Sequence, residues 1–179
     1  MAKYLNYRTG VIIILTKILS KDEIRARHRV WRDPWHFLAF GFGSGLAKTA
    51  PGTFGTLAAV PIYLLLLQLG WLWYGIVTVA AFFIGIKICQ KTSDDLQVHD
   101  FSGIVWDEFV GFWITMFLIP FHWQWLVLGF ILFRFFDILK PWPIRVLDQK
   151  VEGGFGIMID DVLAGIYAWI VLYLIIEFY

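Results

Sequence analysis

Cysteine is almost missing from this chain: Cys89 is the single example in 179 residues. One thiol excludes an intrachain disulfide, and no Cys-X-X-Cys pair or Cys/His cluster exists for zinc or redox chemistry. Cys89 also lacks the downstream arginine of a CX5R phosphatase loop, and in its apolar surroundings it reads as packing. Charge is scarce too. Asp, Glu, Lys and Arg make up 16% of the residues and sum to +1, where soluble domains average about 25% charged. A nucleic-acid binder needs a concentrated basic face, so that class is excluded. In place of charge the chain is 59% hydrophobic and 19% aromatic. This composition predicts an all-α integral membrane helical bundle.

No secretory signal is expected. Val11–Leu15 is too short to span, Lys17 and Lys21 follow it, and no small-residue cleavage pattern comes after. Residues 1–34 are expected to form a basic, amphipathic cytoplasmic segment at the membrane surface, and residues 35–179 the membrane-embedded domain. Asp, Glu, Lys and Arg are absent from Thr49 to Ile86, from Phe109 to Phe133 and from Val162 to Ile176. A span takes about 20 apolar residues. With tight turns at Gln68–Trp71 and Pro120–His122, the pattern predicts five transmembrane or partly inserted helices over residues 54–69, 71–89, 104–120, 123–139 and 159–178. Basic residues gather in the N-terminal segment and the two longer loops, while the hairpin turns carry Trp71, Trp73, Trp123 and Trp125. The positive-inside rule then puts the N-terminus and both longer loops in the cytoplasm.

With that topology every polar cluster falls at one face. Asp107 and Glu108 enter the third expected helix, Asp137 ends the fourth, and Asp160 and Asp161 open the fifth. A carboxylate at membrane depth must be paired, metal-bound or open to water. A helix N-terminus favours such a charge, which accounts for one of Asp160 and Asp161 but not for Asp137 at a C-terminus. Arg134 and Lys140 lie three residues either side of Asp137 and are spaced to pair with it. Converging carboxylates without cysteine or clustered histidine suit a hard cation, and Mg²⁺ is the usual one beside phosphate. Lys48, Arg134 and Lys140 are donors suited to phosphate oxygens, although snorkelling to lipid headgroups also explains Lys140.

GFGSGLAKTAPGTFGT, residues 41–56, lacks the Gly-Lys dipeptide of a nucleotide-binding P-loop, and no strand precedes it. Its glycines still let backbone N–H groups approach an anion, with hydroxyls from Ser44, Thr53 and Thr56 as further phosphate donors. Thr53 or Thr56 is expected to cap the first helix. Small residues also serve close helix packing. His99 and Asp100 form a loop pair able to move protons near neutral pH; Ser93-Asp94-Asp95 reads as a solvated helix end, and His28, His36 and His122 show no partner.

Four segments together carry a resemblance: GSGLAKTAPGTFGTLAAVP (43–61), HDFSGIVWDEFVG (99–111), FRFFDILKPWPI (133–144) and GGFGIMIDDVLAG (153–165). In this order and spacing they resemble the phosphatidylglycerophosphatase A family of bacterial inner membranes, over about residues 35–179. The resemblance implies a Mg²⁺-dependent phosphatase acting at the cytoplasmic face on phosphatidylglycerophosphate, with the lipid as its bilayer partner. It implies motif acids Asp100, Asp107, Glu108, Asp137, Asp160 and Asp161 and motif bases Lys48, Arg134 and Lys140. Glu108, Asp137, Asp160 and Asp161 are the expected metal ligands. Two other classes fit less well. A CDP-lipid phosphatidyltransferase would show DGxxAR, which is absent, and a transporter would show an internal repeat and mid-bilayer polar groups.

Overall fold

The structure is a computed structural model that describes residues 29–98 and 100–178. The N-terminal segment read as amphipathic therefore lies almost wholly outside the described residues. Among the described residues every regular element is helical: α1 (Pro34–Ala39), a 3-10 segment (Gly41–Leu46), α2 (Pro51–Leu66), α3 (Gly70–Leu96), α4 (Trp106–Thr115), α5 (Trp123–Leu139), α6 (Ile144–Lys150) and α7 (Gly153–Phe178). The five expected helices are α2, α3, α4, α5 and α7; α5 has the expected bounds and the other four have altered ends. The short helices α1 and α6 were not anticipated.

The first two long helices form the expected hairpin. A 3-10 turn over Leu67–Leu69 leads into Gly70, whose φ of 78° breaks the helical path. The Tyr63 and Tyr74 rings lie 6.3 Å apart, whereas eleven residues of continuous helix would separate them by about 16 Å. The chain has folded back. Pro51–Leu96 and Gly153–Phe178 are each long and apolar enough to cross a membrane, yet only 33% of either apolar window is buried. Leu65, Val79 and Phe83 on the hairpin, Ile131, Phe135 and Ile138 on α5, and Leu174 on α7 all face outward.

The third helix departs most from expectation. It was placed at 104–120, but α4 ends at Thr115, because the chain turns through Leu118 at φ 61° before Pro120. Ten residues rise only about 15 Å, half of a bilayer's hydrocarbon core of about 30 Å. Helix α4 is instead the centre of the core. Phe109, Val110, Phe112 and Met116, just past its end, are fully buried, and α2, α3, α5 and α7 pack around it. A helix enclosed on all sides needs apolar residues all round. Its tryptophans still find acceptors: Trp106 Nε1 donates to Ala81 O at 3.0 Å and Trp113 Nε1 to Ala59 O at 3.2 Å.

Helices α4 and α7 meet through glycine. A Cβ on Gly165 would sit 2.4 Å from the Gly111 carbonyl oxygen, and one on Gly111 would sit 2.7 Å from that of Asp161. Thr115 Oγ bridges the crossing, donating to Gly111 O at 3.0 Å and Gly165 O at 3.3 Å. This contact sets the distance between the two helices that carry most of the acids.

Helix α1 is fastened to the end of α3. Asp33 caps it by accepting from the Trp35 N–H at 2.9 Å. Lys91 Nζ lies 3.3 Å from Asp33 and 2.6 Å from Asp95, and buried His36 Nε2 lies 3.0 Å from Asp95. His36 thus has partners the sequence did not reveal, and Asp95 is not merely solvated. Beyond α1, Val105 N donates to Ala39 O at 2.8 Å, and Gly45 abuts the backbone of Gly103. The N-terminal hook thereby holds the strip that leads into α4. Cys89 is buried with its Sγ 3.9 Å from Met158 Sδ, as packing requires.

Gly165→Ala is expected to cost about 1–3 kcal/mol by overpacking, read as a lower thermal midpoint in detergent. Gly75→Ala, inside α3 where the new methyl would meet only Phe117 at 3.5 Å, is expected to hold the midpoint or raise it slightly, since alanine favours helix over glycine.

Candidate active site

Asp107 and Glu108 occupy the first turn of α4, where the helix dipole favours negative charge. Asp161 reaches them from α7. The three are buried, and one carboxylate oxygen from each lies within 4.8 Å of the others. The dipole explanation does not extend to Asp160 and Asp161. Helix α7 begins at Gly153, six residues earlier than expected, and has no acid in its first turn. Gly153 and Gly154 allow the early start by letting α7 press against Gln90, whose Oε1 accepts from Gly154 N at 2.6 Å. The α7 acids therefore need charged partners.

Asp137 pairs with Arg134 as the spacing foretold: Arg134 Nη1 lies 2.5 Å from Asp137 Oδ2 and 3.6 Å from Glu108 Oε1. Gly52 covers this pair at the start of α2. A Cβ there would fall 2.2 Å from Glu108 Oε1 and 2.9 Å from Arg134 Nη2. Glycine at position 52 is thus required by the charged groups beneath it. The other glycines of the segment serve packing, with Gly55 against Val105 and Gly41 against Phe109.

Lys140 turns away from Asp137. It caps α5 with φ 44°, and its Nζ lies 2.6 Å from Asp160 Oδ2 and 2.5 Å from Asp148 Oδ1. Burial works against this ammonium, but Asp160 and Asp148 more than offset it and raise its pKa above the ordinary lysine value. Lys140 is therefore charged throughout the physiological range. Asp148, on α6, escaped the sequence reading. The signal was present: it is an acid among Lys140, Arg145 and Lys150 in a loop otherwise judged by its bases.

The remaining candidates are less central. Asp100 is exposed, close enough for its charge to act on Asp107 and Asp160. His99 lies outside the described residues. Thr56 is fully buried and donates to Gly52 O at 2.9 Å, and Ser44 Oγ donates to Gly41 O at 2.8 Å. Both hydroxyls are spent on their own backbone. Neither Thr53 nor Thr56 caps α2, whose N-cap is Ala50 with Pro51 following. Thr53 is half-buried and Lys48 exposed, with no ion pair for Lys48 among the described residues.

The cluster fits a hard divalent cation. Asp107 Oδ1, Glu108 Oε2 and Asp161 Oδ2 are buried without a hydrogen-bond partner among the described residues, a costly condition for carboxylate oxygens. Such a set of hard oxygen donors suits Mg²⁺ or a similar ion. Of the expected ligands, Glu108 and Asp161 belong to this trio and Asp107 joins them, while Asp137 and Asp160 are engaged by Arg134 and Lys140.

Among the described residues, helices with apolar outer faces enclose buried carboxylates with two cations beside them, an arrangement suited to an enzyme that handles a phosphate group beside an apolar surface. Comparison with known proteins narrows the class. Residues 37–176 match the model of the family described as phosphatidylglycerophosphatase A, and the chain belongs to that family of phosphatase enzymes. It is 48% identical over 156 residues to phosphatidylglycerophosphatase A of Escherichia coli, covering 87% of this chain and 90% of that protein. It is 56% identical over 145 residues to the protein of the same name in Haemophilus influenzae, covering 80% and 89%. It is also 41% identical over 140 residues to a putative phosphatidylinositol-3-phosphatase of Bacteroides thetaiotaomicron, covering 74% and 87%. No solved structure matches the chain.

Adding Mg²⁺ or Mn²⁺ to metal-stripped protein is expected to raise its thermal midpoint, as a ligand that binds only the folded state must. Asp161→Asn is expected to abolish that rise. An equal rise in both proteins would place the cation elsewhere.

Proposed function

We propose that this protein hydrolyses the terminal phosphomonoester of phosphatidylglycerophosphate, releasing phosphatidylglycerol and inorganic phosphate, with Mg²⁺, at the cytoplasmic face of a bacterial inner membrane. The observation that carries the reading is the trio Asp107, Glu108 and Asp161, with Arg134 and Lys140 held beside it by Asp137 and Asp160. The names of the two bacterial relatives supply the substrate.

Residues 35–179 form the phosphatase domain, with α2, α3, α5 and α7 embedded and α4 partly inserted. The outward apolar rows support that placement, since contiguous apolar surface this large does not stay in water. Trp71, Trp73 and Trp123 are exposed at the hairpin end, as befits one membrane interface. Asp107, Glu108 and Asp137 lie at the opposite helix ends and Asp160 and Asp161 about two turns inside α7, which in this reading sets the cluster near the headgroups of the other leaflet, where a lipid phosphate arrives.

Arg134 offers a planar fork and Lys140 a point charge, and together they take the phosphate's peripheral oxygens. Asp107, Glu108 and Asp161 would hold Mg²⁺, which when bound neutralises phosphate charge and polarises the phosphoryl group. Phosphoryl transfer is catalysed mainly by positioning and charge stabilisation, which is what a rigid, buried constellation provides. A water attacks phosphorus in line, its proton passes to a carboxylate at the edge of the acid cluster, and the P–O bond to glycerol breaks. The leaving oxygen then takes up a proton. Asp100, exposed and near enough for its charge to act on Asp107 and Asp160, is assigned the proton transfers, and His99 adjoins it in sequence. Exposed Lys48 and half-buried Thr53 are assigned as auxiliary phosphate donors. The phosphate is also the group shared with the relative named for a phosphoinositide.

The direct test supplies purified protein with phosphatidylglycerophosphate, with and without Mg²⁺. Phosphate release that stops on chelation is expected. Asp161→Asn and Arg134→Ala should each lower kcat/KM by roughly 10²-fold or more, in line with loss of an electrostatic stabiliser. Full release in chelator would remove the cation from the mechanism, and near-normal rates in both variants would return these residues to a packing role.

A further inference from the structure

The Lys140 ammonium is gripped twice. Asp160, one of its partners, belongs to the acid cluster; the other, Asp148, stands outside it on α6. Helix α6 has seven residues, and Ile144 at its start is fully buried. Asp148 lies four residues further on, one turn along the same helix face, and although it is solvent-exposed its carboxylate reaches back to Lys140 at the end of α5. Lys140 itself follows α5 in a left-handed conformation and precedes Pro141, which fixes where its side chain starts but not where its flexible stem ends.

An ammonium has three N–H donors. With two directed at Asp148 Oδ1 and Asp160 Oδ2, both the position and the rotation of the group are set, and one donor remains. We propose that Asp148 is a positioning residue for the phosphatase reaction: it and Asp160 hold the Lys140 ammonium so that its third N–H meets the incoming phosphate. The inference rests on the reading of the site as a phosphatase centre. Without Asp148 the lysine keeps one tether at the end of a four-carbon stem, and the ordering that was built into the free enzyme must be supplied at each binding event. The effect falls on capture of the phosphorylated lipid. A purely structural role, stapling α6 to the end of α5, would instead act on folding and independently of Lys140.

The test is a double-mutant cycle on the full-length protein in detergent, with phosphatidylglycerophosphate and saturating Mg²⁺. Asp148→Asn is expected to raise KM about tenfold while kcat changes less than about threefold, the signature of lost uniform binding. In a Lys140→Met background the same substitution is expected to change KM less than about twofold, because residues acting through one contact are not additive. Asp148→Glu, which keeps the charge, should recover most of the loss. Should Asp148→Asn not accumulate as folded protein, Asp148→Ser completes the cycle, with thermal midpoints measured beside the kinetics. An equal KM penalty in both backgrounds, or a lowered midpoint with unchanged KM, would assign Asp148 to the staple. An active wild type with an additive cycle overturns this inference alone; a wild type that releases no phosphate overturns the phosphatase reading and this inference with it.

Discussion

Carboxylates buried together repel one another, and everything at the acid-rich end of this molecule is arranged around that cost. Asp107, Glu108, Asp137, Asp160 and Asp161 converge from three helices, and among the described residues only Arg134 and Lys140 pair with them. Removing charges from water costs several kcal/mol each unless partners compensate. Two cations cannot balance five acids, particularly when Lys140 also serves Asp148. The imbalance concentrates on Asp107, Glu108 and Asp161, whose inward oxygens have no donor. A second acidic group in the molecule makes the contrast. Asp33, Asp95 and His36 also lie close together, but Lys91 sits between the two acids and pairs with both, and His36 reaches Asp95 as well. One cluster carries its own counter-charge. The other is built to receive it.

The fold supports this by enclosing a short helix. Because α4 is buried on all sides and rises only half the thickness of a bilayer, its first turn can present two consecutive acids inside the protein rather than to lipid. The glycine crossing of Gly111 with Gly165 then brings α7 near enough for Asp161 to join them. Gly52 lets the start of α2 close over Glu108 and Arg134. The N-terminal hook, anchored at Asp95, fixes residues 103–105 just ahead of the acids. Stability and chemistry share the same contacts, so substitutions at these glycines act on both.

Much of this was legible in the sequence. Charge-free runs gave the four long helices, and Gln68–Trp71 gave the hairpin, since apolar length and turn residues are local signals. The i,i+3 spacing gave the Arg134–Asp137 pair. Three features escaped for physical reasons. The early stop of α4 depends on burial, which composition alone cannot separate from a membrane span. The start of α7 at Gly153 places glycines inside a helix, against local propensity, because close approach to Gln90 requires them. The partners of Lys140 and His36 come from distant segments: Asp148 lies beyond a Pro-Trp-Pro turn and Asp95 at the far end of α3. The hydroxyls of Ser44 and Thr56 looked like ligands, but short side chains in turns and helices often bond their own backbone, as these do.

The central claim is that Asp107, Glu108 and Asp161 share one divalent cation. Mn²⁺ substitutes for Mg²⁺ at sites of hard oxygen ligands and can be located in a crystal by its anomalous scattering. The account predicts one strong Mn²⁺ peak within bonding distance of carboxylate oxygens from all three residues. A peak at Asp33 and Asp95 instead, or no bound ion while the three carboxylates remain together, would contradict it.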